Sequence, residues 1–259
     1  MISLSNQVAV VTGGSRGIGA ATVKLFAAAG AHVVFSYHRQ RRAAEEVASE
    51  ARRYGVEAVP VRADLARMAD ARRLIQTAVS RLRRLDILVA NAGIWNVRDI
   101  PIERLSERDW DEMMAVNLKS VYSVVHYAVP VLKKQAARSG RPARIIALSS
   151  TAGQRGEAFH DHYAATKGAI ISFVKGLSTE LAPYNILVNC VAPGWVDTEM
   201  SRPVLRTAAQ RRWVVRQIPL RRVATAEEIA GPILFLASDL ATFLTGEIVN
   251  VNGGAVLVG

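Results

Sequence analysis

The chain has 259 residues, 50% of them hydrophobic and 21% charged, so it can bury a sizeable core and is not a disordered chain. Its single cysteine, Cys190, excludes an internal disulfide framework and a cysteine-based zinc cluster. A formal charge of +11 raises nucleic acid, membrane surfaces and anionic substrates as partners, beside the plainer reading of an arginine-rich solvated surface.

The first apolar run, 8–12, predicts a strand so early that no room is left for a secretory leader. Further runs at 32–36, 58–62, 87–91, 144–149, 187–191 and 248–251 are β-branched-rich and continuously apolar, as strands covered on both faces must be. Between them the spacing predicts helices over about 17–29, 39–54, 69–82, 107–138, 161–182 and 226–237. Thr225-Ala-Glu-Glu228 has the form of a capping box for the last. Strand–helix alternation implies one doubly wound α/β domain over 1–259, with a seven-stranded, mostly parallel sheet. Its longest irregular stretch, 193–225, follows strand six and is expected to be a substrate lid. No uncharged apolar run approaches the ~18 residues of a membrane span, so the chain reads as soluble and cytoplasmic.

Strand one runs into Thr12-Gly13-Gly14-Ser15-Arg16-Gly17-Ile18-Gly19 and then a helix. Glycines allow a tight turn and close approach to a pyrophosphate, while a helix N-terminus offers it unpaired N–H groups. A tight strand–helix connection with no ligand would also use glycines, so the turn alone is a weak signal. Tyr163 and Lys167 share one helix face by their spacing. An ammonium there would favour the phenolate and move the phenol toward proton transfer near neutral pH. Ser149 and Ser150 fall at the carboxyl end of strand five, where open sheets carry their chemistry.

These features, in order, resemble the short-chain dehydrogenases/reductases over essentially the whole chain. The Thr-Gly-x-x-x-Gly-x-Gly turn, Asn91-Ala92-Gly93, the set Asn117, Ser150, Tyr163 and Lys167, Pro193-Gly194 with Thr198, and the run from Gly246 to Gly254 all carry the resemblance. Within the family the pattern is most similar to the 3-oxoacyl-carrier-protein reductase branch. The resemblance implies a nicotinamide cofactor held by Gly13, Ser15, Arg16, Gly17, Ile18, Gly19, His38, Arg39, Asp64, Leu65, Asn91, Ala92, Gly93, Tyr163, Lys167, Pro193, Gly194, Val196 and Thr198. It further implies that Tyr163 donates a proton to a carbonyl oxygen that Ser150 hydrogen-bonds. Lys167 holds the ribose, and Asn117 anchors a water that links Lys167 to solvent. Ser150 is favoured over Ser149 by its spacing to Tyr163 and the Thr-Ala-Gly that follows.

No acid stands among Ser36, Tyr37, His38 and Arg39, where NAD selectivity places one, and Arg16, His38 or Arg39 could face a 2′-phosphate. NADP(H) is therefore expected over NAD(H). Substrate contacts are expected from Ser150, Trp95, His160 and Trp195, with plain packing or capping as the competing reading for Trp95 and His160. Cys190 reads as a core residue, and His160 with His162 suggests no metal site. The lid carries Arg202, Arg206, Arg211, Arg212, Arg216, Arg221 and Arg222 and no acid between Ser201 and Ala224. These arginines are either a solvated face or a handle for an anionic substrate; no groove-reading module supports nucleic acid. The expected activity is NADPH-dependent reduction of a carbonyl, with a 3-oxoacyl thioester as candidate. A sugar or small-alcohol dehydrogenase is the alternative, and a scaffold that lost catalysis is disfavoured by the intact tetrad. Of two basic positions with which the branch docks its carrier, Arg141 matches one and Tyr184 falls on the other. Long apolar segments 107–138 and 161–182 fit the family's tetramer, so a homotetramer is expected.

Overall fold

A computed structural model of the chain describes residues 2–258. Seven strands, β1 (Val8–Val11), β2 (His32–Tyr37), β3 (Ala58–Arg62), β4 (Ile87–Ala90), β5 (Ala143–Leu148), β6 (Ile186–Pro193) and β7 (Ile248–Val251), form one sheet in the order β3-β2-β1-β4-β5-β6-β7. Every pairing is parallel, so the "mostly parallel" expectation resolves to an all-parallel sheet. All the strand carboxyl ends therefore lie on one edge. The order reverses between β1 and β4, which opens a crevice there.

Each sheet face has its own core. On one, Phe26 of α1 (Gly17–Ala28), Val47 of α2 (Arg41–Arg52) and Ile233 of α10 (Ala226–Ala237) pack on Val11, Phe35 and Val191. On the other, Leu74 of α3 (Met68–Leu82), Leu132 of α5 (Ser120–Ser139) and Ile170 of α7 (Asp161–Leu181) pack on Val10, Leu88 and Ile145. Near-continuous burial on both faces is why the inner strands β1, β2, β4, β5 and β6 read as apolar runs, while the edge strands β3 and β7 are only partly covered. Thr225 and Glu228 form the expected capping box on α10.

Two helical features depart from expectation. The segment predicted as one helix over 107–138 is α4 (Glu107–Met113), a π-helical turn (Met114–Lys119) and α5. The π turn holds Asn117, and such turns gather at functional sites. The lid is not irregular throughout. It contains α8 (Arg202–Leu205) and α9 (Ala208–Arg216), the latter capped by the Thr207 hydroxyl, which accepts from the Gln210 N–H at 3.2 Å. Leu205, Val214, Ile218 and Val223 give the lid a small core of its own, against which Trp195 packs.

Candidate active site

A cavity of about 800 Å³ runs along the carboxyl edge, lined at one end by the glycine turn and at the other by Ser150 and Tyr163. The turn's shape comes from backbone that other residues resist. Gly13 and Gly17 have φ of +68° and +54°, and a Cβ on Gly19 would drive into the Gly13 carbonyl. Strand neighbours fix the turn in place. The Gly13 N–H donates to the Ser36 hydroxyl at 3.0 Å and the Gly14 N–H to the Ser36 carbonyl at 2.8 Å. Just after β4, the Asn91 carboxamide donates to the Thr12 carbonyl at 2.8 Å, and the Thr12 hydroxyl accepts from the N–H groups of Asn91 and Ala92, both at 2.9 Å.

Gly13, Ser15, Arg16, Gly17, Ile18, Gly19, His38, Arg39, Asp64, Leu65, Asn91, Ala92, Gly93, Pro193, Gly194, Val196 and Thr198 all line this one cavity. The glycine cradle at the start of α1 and the length of the crevice fit a dinucleotide, with the pyrophosphate at the helix N-terminus. Arg16, His38 and Arg39 share the end where β2 stops, and no carboxylate from β2 meets them.

Catalytic geometry is set by α6 (Thr151–Arg155), a short helix absent from the sequence reading. Ser150 is its N-cap, accepting from the Ala152 N–H at 3.1 Å. Gly153 lets α6 lie against α7, because a Cβ there would meet the Lys167 backbone at 2.5 Å. The two serines part company here. The Ser149 hydroxyl donates to the Lys167 carbonyl at 2.7 Å, whereas Ser150 turns to Tyr163 in the cavity. The Lys167 ammonium donates to the Leu148 carbonyl at 2.8 Å and lies 5.7 Å from the centre of the Tyr163 ring.

Burial governs both titrations. It pushes the Tyr163 phenol up to about 12, partly offset by the Ser150 hydroxyl and reinforced by the Glu157 carboxylate. It pushes the Lys167 ammonium down to about 8. The expected lowering of the phenol is thus not what these protein groups produce: Lys167 points to a carbonyl, and desolvation outweighs it.

Two expected residues lie one layer behind the cavity. Asn117 is fully buried, accepting from the Ile94 N–H at 2.7 Å and donating to the Ile94 carbonyl at 2.9 Å, so it holds the segment after Asn91-Ala92-Gly93. His160 is 4% exposed and stacks under Trp95, with ring centres 4.9 Å apart, instead of bordering the substrate space itself. Trp95 and Trp195 do line the cavity and meet edge to face at 5.8 Å. His162 is buried beside Tyr163 with neither ring nitrogen hydrogen-bonded among the described residues, and burial lowers its pKa. Cys190 is fully buried in β6.

Arg155, Glu157, Glu112 and Glu199 also line the cavity and were not anticipated. The lid arginines do not: all are on the outer surface. Arg222 is neutralised by a two-pronged pair with Glu228 at 2.5 and 2.6 Å, and Arg211 lies 3.8 Å from Asp197.

An all-parallel sheet with a glycine-rich first turn, and a serine, tyrosine and lysine at its carboxyl edge, defines a nicotinamide-dependent oxidoreductase. Residues 13–256 match the family model described as enoyl-(acyl carrier protein) reductase. The chain is 38% identical to the 3-oxoacyl-[acyl-carrier-protein] reductase of Aquifex aeolicus, covering 98% of each chain, and 40% identical to that of Chlamydia trachomatis, covering 97% and 98%. Among solved structures it superposes with a TM-score of 0.89 on a Brucella melitensis short-chain dehydrogenase/reductase described as a glucose/ribitol dehydrogenase, at 34% identity and 99% coverage of both. A 3-ketoacyl-(acyl-carrier-protein) reductase from the same organism, complexed with NADH, gives 0.89 at 31% identity, covering 98% of this chain and 100% of that one.

The chain belongs to the short-chain dehydrogenase/reductase family. It is an NAD(P)-dependent oxidoreductase acting on the CH–OH/C=O pair. No helix among the described residues is long and apolar enough to cross a membrane.

Proposed function

We propose that the protein is an NADPH-dependent reductase that converts a ketone to a secondary alcohol, with a 3-oxoacyl thioester as its substrate. The observation that carries this reading is the convergence of Ser150, Tyr163 and Lys167 on the cavity that also holds the glycine turn. When bound, the nicotinamide supplies the hydride. Ser150 positions the carbonyl oxygen by hydrogen bonding. Tyr163, whose phenol near 12 stays protonated at neutral pH, gives that oxygen its proton. Lys167, beneath the ring, holds the ribose hydroxyls. Asn117 is a positioning residue for the Ile94 segment.

NADPH preference rests on Arg16, His38 and Arg39 at the end of β2, with a guanidinium well suited to a 2′-phosphate. The thioester reading rests on the relatives above and on the exposed lid arginines, which would act by long-range attraction and not by contact inside the cavity. At the carrier-docking position occupied by Tyr184, the Lys133 ammonium lies 3.3 Å from the ring centre and places a positive charge there. The alternative, a dehydrogenase of a sugar or small secondary alcohol, is favoured by the absence of lid arginines from the cavity wall. The assembly we propose is a homotetramer built on α5 and α7, where Tyr122 is 47% exposed. Light scattering should give about four chain masses; one chain mass at micromolar concentration refutes it.

Turnover of acetoacetyl-coenzyme A and a ketone panel with each cofactor, followed at the reduced-nicotinamide band, tests the reaction. A higher kcat/KM with NADPH and activity on the thioester are expected. A preference for NADH, or brisk turnover of a neutral sugar with none on the thioester, would hand the case to the alternative.

A further inference from the structure

Glu157 is a carboxylate with an unusual position. It lines the cavity beside Ser150 and Tyr163, and its side chain is only 19% exposed. Among the described residues no N–H or O–H donates a hydrogen bond to its carboxylate; the His160 ring stays 3.9 Å away. A partly desolvated carboxylate with no donor is costly, and a ligand that brings one is favoured correspondingly.

The surroundings show why the group is held there. Phe159 has φ +65°, a left-handed conformation that a bulky residue adopts only under constraint, and its carbonyl accepts from the Ile100 N–H at 3.2 Å. That pins the loop from Gly156 to His160 to the segment after β4. His160 fills the space beneath, between Glu157 on one side and Asp99, also at 3.9 Å, on the other. Trp95 stacks on His160, and Trp195 stands against Trp95 at 88°. The result is a corner of two indoles with a carboxylate beside it, opening into the cavity that holds the proton donor.

We propose that this corner is the specificity site for the arm of the substrate beyond its carbonyl, and that it selects an arm with a flat or apolar body ending in a hydrogen-bond donor, a hydroxyl or an ammonium, over one ending in a carboxylate. The proposal rests on Ser150 and Tyr163 holding the carbonyl, and narrows the substrate class within that reading. Indole faces take an apolar or cyclic body, and attract a cation as well. The Glu157 carboxylate supplies the acceptor and repels a second anion across a poorly screened cavity. The groups that face Glu157 are His160, Arg155 and Asp99; burial raises its pKa while His160 and Arg155 lower it.

The test uses the whole protein and a matched set of para-substituted benzylacetones: unsubstituted, hydroxymethyl, aminomethyl and carboxyl. The wild type should favour the hydroxymethyl and aminomethyl ketones over the carboxyl ketone by about tenfold or more in kcat/KM, with the difference mainly in KM. Glu157→Gln, nearly isosteric, should bring that ratio to within about threefold, and Glu157→Lys should invert it. Trp95→Ala should weaken all four aryl ketones together and leave the ratio standing. Quenching of tryptophan fluorescence gives the same ratio from binding alone. A protein that binds the set with the expected ratio and reduces none of it would refute the reaction while upholding this site. Equal binding of all four, binding of none, or a ratio that survives Glu157→Gln overturns the proposal.

Discussion

The two ends of the cavity are built differently. At the end with the glycine turn, the floor is backbone: positive-φ glycines, N–H groups at the start of α1, and Thr12, Ser36 and Asn91 spent on fixing the turn, with the side chains of Arg16, His38 and Arg39 also in the lining. At the substrate end, the wall is side chain: Trp95, Trp195, Arg155 and Glu157, carried on loops and backed by a lid with its own small core. Backbone walls tolerate almost no substitution and bind what all dinucleotides share. Side-chain walls can be exchanged residue by residue while the strand ends stay put. Between the two ends stand Ser150, Tyr163 and Lys167, held by β5, α6 and α7.

The largest effect should come from the junction itself. Tyr163→Phe keeps the ring and removes only the hydroxyl proposed as proton donor, so turnover should drop by roughly 10²–10⁴-fold, as loss of general acid catalysis does. Cofactor affinity, read by titration of NADPH fluorescence, should be nearly unchanged. Retention of most of the turnover would mean that another group protonates the product.

The next effect breaks the nucleotide end alone. In Gly19→Ala the new Cβ meets the Gly13 carbonyl, a backbone atom tied to its neighbours, so the turn must shift. Overpacking of this kind costs the fold on the order of 1–3 kcal/mol, and displacement of the turn should raise the NADPH dissociation constant by roughly tenfold or more. Glu157→Gln should leave that constant nearly alone. If both variants weakened the cofactor equally, the two ends would not be separable in the way described.

Lys167 sharpens the comparison through stability. Its pKa in the folded chain, about 8, lies below the ordinary 10.5 of the unfolded one. Between those values the unfolded chain binds more protons, so stability rises with pH across the window, and the full cost is present below about pH 8. The shift corresponds to roughly 3 kcal/mol. Lys167→Met removes that cost but strands the Leu148 carbonyl, worth about 1 kcal/mol. A net gain of up to about 2 kcal/mol near pH 7 is expected with activity lost, and it should turn into a loss of about 1 kcal/mol above about pH 10.5, where Lys167 is neutral in both states. A variant less stable than wild type at pH 7 would show that the ammonium is not buried at a cost.

Legibility in the sequence follows the same division. The strands were readable because burial on both faces makes them continuously apolar, and the glycine turn because its conformations demand one residue type at fixed spacing. Tyr163 and Lys167 were readable because helix periodicity alone puts them on one face. The order β3-β2-β1-β4-β5-β6-β7 was not legible: right-handed crossovers fix the face on which each helix packs, not which strands become neighbours. What escaped depends on tertiary detail. The π turn at Asn117 leaves no period of its own to detect in a helical stretch. Lid helices α8 and α9 are short, and α9 buries only Val214. Nothing in the sequence marks Glu157, since its place in the cavity depends on the pinned Phe159 and the stack of Trp95 on His160. His160, expected either at the substrate or as plain packing or capping, lies behind the cavity lining and stacks on Trp95, which lines it.

The smallest effect concerns the outer face of the substrate end. Arg211 and Arg212 are exposed and do not line the cavity, and Arg211 is already near Asp197. Their action on an anionic thioester can only be long-range, across a distance where about 0.15 M salt screens most of the field. Reversing both charges should therefore raise KM for acetoacetyl-coenzyme A by only a few-fold at low salt, with kcat almost unmoved. The difference from wild type should shrink as salt is added. Neutral ketones, which feel no steering, should show no change at any salt. A fall in kcat, or an equal effect on the neutral ketones, would place these arginines in the structure of the lid and remove them from substrate capture.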